Sequence, residues 1–129
     1  MDTPRRSMGQ WGEELARNFL CGKGFRILAC NYRNRYGEID IIAQEKRTVC
    51  FIEVKTRRGE GYGAPAEAVN RRKQRRISQL ALVYLKSQPG FSDARFDVVE
   101  VMVDRQMRVR KIEIIRDAFP LSADFFYAP

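Results

Sequence analysis

Asp40, Glu53 and Lys55 stand within two mostly apolar runs. Asp40 lies within Glu38 to Ala43, and Glu53 and Lys55 lie within Thr48 to Lys55. The polar residues Gln44 to Arg47 read as a hairpin turn, although they lack the Asn-Gly or Asp-Gly pair of the tightest hairpins. Alternate side chains of a strand share a face, so Glu53 and Lys55 point the same way as Val49 and Phe51. A turn centred on Lys46 and Arg47 sets Asp40 opposite Glu53, each six residues from that pair. Directly opposed residues have Cβ atoms roughly 4.5–5.5 Å apart. Two bare carboxylates at that distance repel each other. A bridging cation, a shared proton or the Lys55 ammonium would make the pair tolerable.

This constellation is that of a divalent-metal site with an adjacent base or charge stabiliser, and it suits phosphodiester hydrolysis. Asp40 and Glu53 would hold Mg²⁺ or Mn²⁺, with the backbone carbonyl of Val54 as a third oxygen donor. The metal would polarise a phosphate and lower the pKa of a bound water. Lys55 would orient or deprotonate that water, or meet the charge that builds on the phosphate. The competing reading is a partly buried ion pair, Lys55 with Glu53 or Asp40, on an edge strand. The apolar flanks and the in-register aspartate favour the metal site, because strands apolar on both faces are central ones.

The surrounding elements must bring further groups to this seam. Met8 to Cys21 carries apolar residues at three- and four-residue steps and is expected to be helical, ending at Gly22 and Gly24. Glu13 shares the line Glu13–Ala16–Leu20 at the edge of the buried stripe, whereas Glu14 lies on the wet side with Arg17 and Asn18. Glu13 is therefore the glutamate able to reach inward; a first-turn glutamate favoured by the helix dipole is its plainer reading. Phe25 to Arg35 reads as a first strand. Gly59, Gly61 and Gly63 mark a loop beside the site, either a flap or a plain linker, with no Walker or dinucleotide spacing. Pro65 to Val69 is compatible with a helical turn.

Asn70 is expected to cap a helix running to about Ser87, with Ile77, Leu80, Ala81 and Tyr84 as its apolar stripe and Leu85 beside it. Its first turns carry Arg71, Arg72, Lys73, Arg75 and Arg76. Cations there oppose the helix dipole at up to about 0.3–1 kcal/mol each, so the cluster is a poor choice for stability alone. With Arg57 and Arg58 it reads as a surface for a nucleic-acid backbone. Ala94 to Asp104 and Met107 to Ile115 read as strands joined at Arg105-Gln106. Asp117 to Pro129 reads as an aromatic tail that covers apolar surface or offers it to a partner chain.

Composition sets the outer bounds. The 129 residues suit a single domain, with residues 1–7 and 120–129 peripheral. Twenty-four Lys and Arg against sixteen Asp and Glu leave a net charge of +8, which favours polyanionic partners, nucleic acid before membrane surface. No stretch approaches the ~20 apolar residues of a membrane span, and the N-terminus has no apolar signal core. The three cysteines form no CxxC pair and point to free thiols in a cytoplasmic protein. The absence of histidine excludes His-ligated zinc and Ser-His or Cys-His nucleophiles.

These residues resemble a known family. Asp40 followed by Glu53-Val54-Lys55 is similar to the signature of the PD-(D/E)xK nuclease superfamily. The closer resemblance is to the YraN-like family of small bacterial endonuclease-like proteins. It is carried by Gly12-Glu13 with Ala16, Gly24-Phe25, Asn31, Gly37-Glu38-Ile39-Asp40, Phe51-Ile52-Glu53-Val54-Lys55, Lys73 and Arg95-Phe96-Asp97-Val98-Val99, and it covers about Gly9 to Phe119. It implies an α/β, restriction-endonuclease-like fold with an αβββαβ core, a mixed sheet flanked by helices, related to archaeal Holliday-junction resolvases. It implies a metal-dependent endonuclease for branched or damaged DNA, and a homodimer, since junction-cutting relatives are two-fold symmetric. Asp40, Glu53 and Lys55 take the catalytic places, and the glutamate of the first helix falls on Glu13. Ile39 stands where the superfamily name has proline. The role of Glu38 is left open by the motif. Two other functions fit the same chain: a nuclease fold that binds nucleic acid without cutting, and an assembly protein acting through its aromatic tail.

Overall fold

The structure, a computed structural model, describes residues 7–59, 69–88, 90–91 and 93–120. Its elements run α1 (Met8–Gly22), β1 (Arg26–Asn34), β2 (Gly37–Glu45), β3 (Thr48–Arg58), α2 (Arg71–Ser87), β4 (Asp93–Val103) and β5 (Val109–Phe119). The five strands form one sheet in the order β1-β2-β3-β4-β5. All neighbours are antiparallel except β3 and β4, which are parallel and joined through α2. A parallel pair needs such a crossover, because a hairpin cannot reverse the chain twice. The result is a mixed α/β sheet of the restriction-endonuclease-like kind, with β3 at its centre.

Alternation along β3 divides the apolar residues between two cores. Val49 and Phe51 pack against Ile77, Leu80, Ala81 and Tyr84 of α2. Cys50 and Ile52 pack against Ala16 and Leu20 of α1. One helix therefore covers each face, and each fully buried Leu or Ile contributes about 1.5–3 kcal/mol. Phe51 meets Tyr84 edge to face at 5.8 Å.

Local signals account for the helix ends. Ser7 caps α1, its hydroxyl accepting from the Gln10 amide while the Gln10 side chain accepts from the Ser7 amide, both at 3.1 Å. Ser7 thus belongs to the helix start. The helix closes at Gly22, and Gly24 takes a left-handed φ of 93°. Asn70 caps α2 as expected, accepting from the Lys73 amide at 2.9 Å.

One expected boundary is corrected. The last strand does not end at Ile115 but runs to Phe119. Between the pairs Phe96–Phe119 and Val98–Ile115, β4 has one residue, Asp97, where β5 has three. The buried Asp97 carboxylate accepts the Asp117 amide at 2.9 Å and so holds this bulge, with Asp117 itself at φ 54°. Phe119 is consequently core, stacked on Phe96 with centroids 5.0 Å apart, and covers apolar surface of its own sheet. The aromatic residues beyond it, the glycine loop after Gly59 and the segment from Pro65 to Ala68 lie outside the described residues.

Candidate active site

The β2–β3 hairpin turns at Lys46 and Arg47, with Lys46 in the left-handed region at φ 55°. Its ladder runs from Glu45–Thr48 to Ile41–Ile52. Continued by one residue, this register faces Asp40 toward Glu53, as the sequence predicts. There the ladder gives way to a side chain: Asp40 Oδ2 accepts the Val54 amide hydrogen at 2.8 Å. On the other side of Asp40, Ile39 and Ile42 both join the α2-facing core although they are three apart. The β1 residue that faces this change, Asn31, has φ 52°. The hairpin therefore twists at Asp40, and a carboxylate there can be reached from both faces of the sheet.

Glu13 arrives from the α1 side. Its position on the buried stripe is confirmed by Gly12, Ala16 and Leu20, all buried. Its carboxyl lies close enough to that of Asp40 to raise the Asp40 pKa. Gly12 sets the reach: a Cβ there would stand 1.8 Å from Thr56 Oγ1, so only glycine lets α1 lie this close to β3. Asn31, with its amide nitrogen turned inward, donates to Glu13 Oε2 at 3.2 Å and to Glu38 Oε1 at 3.0 Å. Glu38 also pairs with Arg33 at 3.0 Å across β1 and β2, so it buttresses the Glu13 side of the site.

Lys73 arrives from the α2 side. Its ammonium hydrogen-bonds Glu53 Oε1, and Lys55 Nζ lies 3.5 Å from the same oxygen. Glu53 is nearly fully buried on the central strand, so the two cations face a carboxylate shielded from water. The ion pair of Lys55 and Glu53 exists, but within a larger cluster and not on an edge strand. Lys73 is the member that the basic run concealed. It stands four residues before Ile77, on the inward stripe of α2, and that phase is the signal that separates it from its neighbours.

The electrostatics follow from this crowding. Asp40 is raised to about 7, first by burial and then by the charge of Glu53; the Val54 amide opposes the rise, and the charge and hydrogen bonding of Glu13 add to it. Burial pulls Lys73 toward neutrality, but its hydrogen bond to Glu53 and the charges of Glu53 and Asp40 outweigh that. Its pKa is held above the ordinary lysine value. Among the described residues, no three His, Cys, Asp or Glu side chains are gathered as a ready-made metal cage. The donor set itself suits a hard cation: oxygen atoms only, from carboxylates whose mutual repulsion already disfavours ionising Asp40.

The other basic residues divide by position. Arg71, Arg72, Arg75 and Arg76 are exposed along the first turns of α2, and Arg72 and Arg76 line a groove with Tyr36, Glu38 and Lys73. Arg58 is exposed and donates to the Arg105 carbonyl at 2.5 Å. Arg57 is drawn inward instead, its Nε 3.4 Å from Oε2 of the buried Glu100. Burial raises the Glu100 pKa, Arg57 opposes that rise and Glu113 adds to it.

A second polar cluster lies at the opposite end of the strands. Arg95 donates to Asp97 at 2.9 and 3.1 Å and to Glu45 at 2.6 Å, and Arg116 donates to Glu45 at 3.0 and 2.8 Å. Arg95 and Arg116 also lie over the Phe25 ring. This cluster ties the far edge of the sheet to β2 and is structural. All three cysteines are free thiols, with Cys50 buried. Among the described residues, no helix is long and apolar enough to cross a membrane.

Comparison with known proteins agrees with the resemblance drawn from Gly37 to Asp40 and Glu53 to Lys55. Residues 12–101 match the family described as "Uncharacterised protein family UPF0102". A "UPF0102 protein" of Caldicellulosiruptor bescii is 46% identical over 117 residues, spanning 88% of this chain and 98% of that protein. One of Nocardia farcinica is 51% identical over 100 residues, 77% of this chain and 79% of the relative. One of Moorella thermoacetica is 46% identical over 121 residues, 92% of this chain and all of the relative.

Proposed function

The chain belongs to the UPF0102 family, and on that footing we propose that it is a divalent-metal-dependent endonuclease that hydrolyses phosphodiester bonds of DNA. The observation that carries this reading is the meeting of Asp40, Glu53 and Lys55 at the twisted end of the β2–β3 seam, with Glu13 on Asp40.

Asp40 and Glu53 would hold Mg²⁺ or Mn²⁺, with the Val54 carbonyl as a further donor. The bound cation would polarise the phosphate and lower the pKa of a bound water. The chain's own residues do the rest. The Val54 amide and Glu13 fix the Asp40 carboxylate from two directions. Lys55 stands beside Glu53, where it orients the attacking water and meets the charge that builds on the phosphate. Arg72 and Arg76 line the approach and contact flanking phosphates. The net charge of +8 draws the polyanion in.

The test is a cleavage assay on single-stranded, duplex, flap and four-way-junction DNA, with Mg²⁺ or Mn²⁺ and a chelator control. Metal-dependent cutting, strongest on branched DNA, is the expected result. Binding on every substrate with no cutting would leave a nucleic-acid-binding module on a nuclease fold.

A further inference from the structure

Glu53 Oε1 is addressed by two cations of this chain. Lys55 Nζ stands 3.5 Å away, and Lys73 Nζ hydrogen-bonds the oxygen directly. Lys55 is kept beside Glu53 by the period of β3. Lys73 is not tied in that way. It stands in the first turn of α2, its side chain is 38% exposed, and it lines the groove shared by Tyr36, Arg72 and Arg76. Four methylenes let a lysine ammonium move several ångströms without moving its helix.

An ammonium bonded to a carboxylate oxygen and a divalent cation bound to that oxygen oppose each other. Both draw on the electron density of one oxygen, and their like charges repel at short range. We propose that Lys73 is an internal cation that competes with the metal for Glu53 Oε1, and that metal binding sends its ammonium into the Arg72–Arg76 groove as a phosphate contact. The proposal rests on the reading of Asp40 and Glu53 as metal ligands. It makes the metal and the nucleic acid mutually reinforcing: each favours the position of Lys73 that the other needs. It also gives the basic run at the start of α2 a division of labour. Arg72 and Arg76 line the groove, and Lys73 joins them on demand.

The test is Mn²⁺ binding to the whole chain without DNA, followed by isothermal titration calorimetry, for wild type, Lys73→Gln, Lys73→Met and Glu53→Gln. Both Lys73 variants should bind Mn²⁺ roughly fivefold or more tightly, the effect of removing one like charge at contact distance. Glu53→Gln should bind more weakly than wild type. Thermal unfolding verifies that the variants are folded and supplies a second readout. In chelator the Lys73 variants should melt below wild type, and saturating Mn²⁺ should raise their melting temperature by more than it raises that of wild type. Equal or weaker Mn²⁺ affinity in folded Lys73 variants, with Mn²⁺ still bound by wild type, would overturn this proposal alone. No Mn²⁺ binding by wild type would overturn the metal-site reading and this proposal with it.

Discussion

Asp40 Oδ2 accepts the Val54 amide hydrogen at 2.8 Å, one residue beyond the last ladder pair of β2 and β3. A side chain thus takes the place of a backbone carbonyl at the seam. The carboxylate that does so is crowded by Glu53 and Glu13 and is raised to about 7. The seam is held together and electrostatically loaded by the same group.

That load has a sign. A carboxyl whose folded pKa lies above its unfolded value of 3.8 holds extra protons in the folded state. Stability therefore falls as pH rises from about 4 to about 7, and the loss is complete above that window. In chelator, Asp40→Asn should melt about 3–5 °C above wild type at pH 8 and show little gain at pH 4. Asparagine keeps an oxygen for the Val54 amide but carries no charge. Melting curves at the two pH values check this, and a variant less stable than wild type at pH 8 would contradict the crowding argument.

Gly12 is required by contact. A Cβ there would stand 1.8 Å from Thr56 Oγ1 and 3.1 Å from Thr56 Cβ. Alanine is normally better than glycine in a helix by about 0.5–1 kcal/mol. Here overpacking should win, so Gly12→Ala should cost about 1–3 kcal/mol in urea denaturation. Thr56 Oγ1 is buried without a hydrogen-bond partner, so Thr56→Ala should be nearly neutral alone. The double variant should recover part of the Gly12→Ala loss.

Much of this was legible in the sequence. The hairpin register follows from one polar turn between two apolar runs, and it sets Asp40 toward Glu53. Glu13 follows from helix phase. The contact of Lys73 with Glu53 is hidden because a basic run looks uniform; only its spacing to Ile77 sets it apart. The pairing of Arg57 with Glu100 has no local signal, because Glu100 is distant in the chain and the parallel pairing of β3 with β4 is invisible locally. The run of β5 to Phe119 was hidden by its bulge, which only the buried Asp97 makes tolerable.

Arg57 and the arginines of α2 should therefore behave differently. Arg57→Gln leaves Glu100 buried without that counter-charge and should cost about 1–3 kcal/mol of stability. It should leave the salt dependence of DNA binding unchanged. Arg72→Ala and Arg76→Ala should leave stability within about 0.5 kcal/mol. Each should lower the slope of log K against log salt by about 0.9 on duplex DNA. Fluorescence anisotropy over a salt series separates the two classes.

Asp97 holds the β5 bulge and the Arg95 guanidinium together. Asp97→Ala leaves Arg95 with Glu45 alone and the Asp117 amide without its acceptor, and should cost about 1–3 kcal/mol, read by chemical denaturation. Asp97→Asn should cost less, because it can still accept from the Asp117 amide.

The central claim is that Asp40, Glu53 and Lys55 form one catalytic site. The most direct measurement is the rate at which Asp40→Asn, Glu53→Gln and Lys55→Ala cut the wild type's preferred DNA in saturating Mn²⁺, each shown to be folded. Each should fall by about 10²–10⁴-fold while still binding the DNA. A folded Glu53→Gln that cuts as fast as wild type would contradict the account.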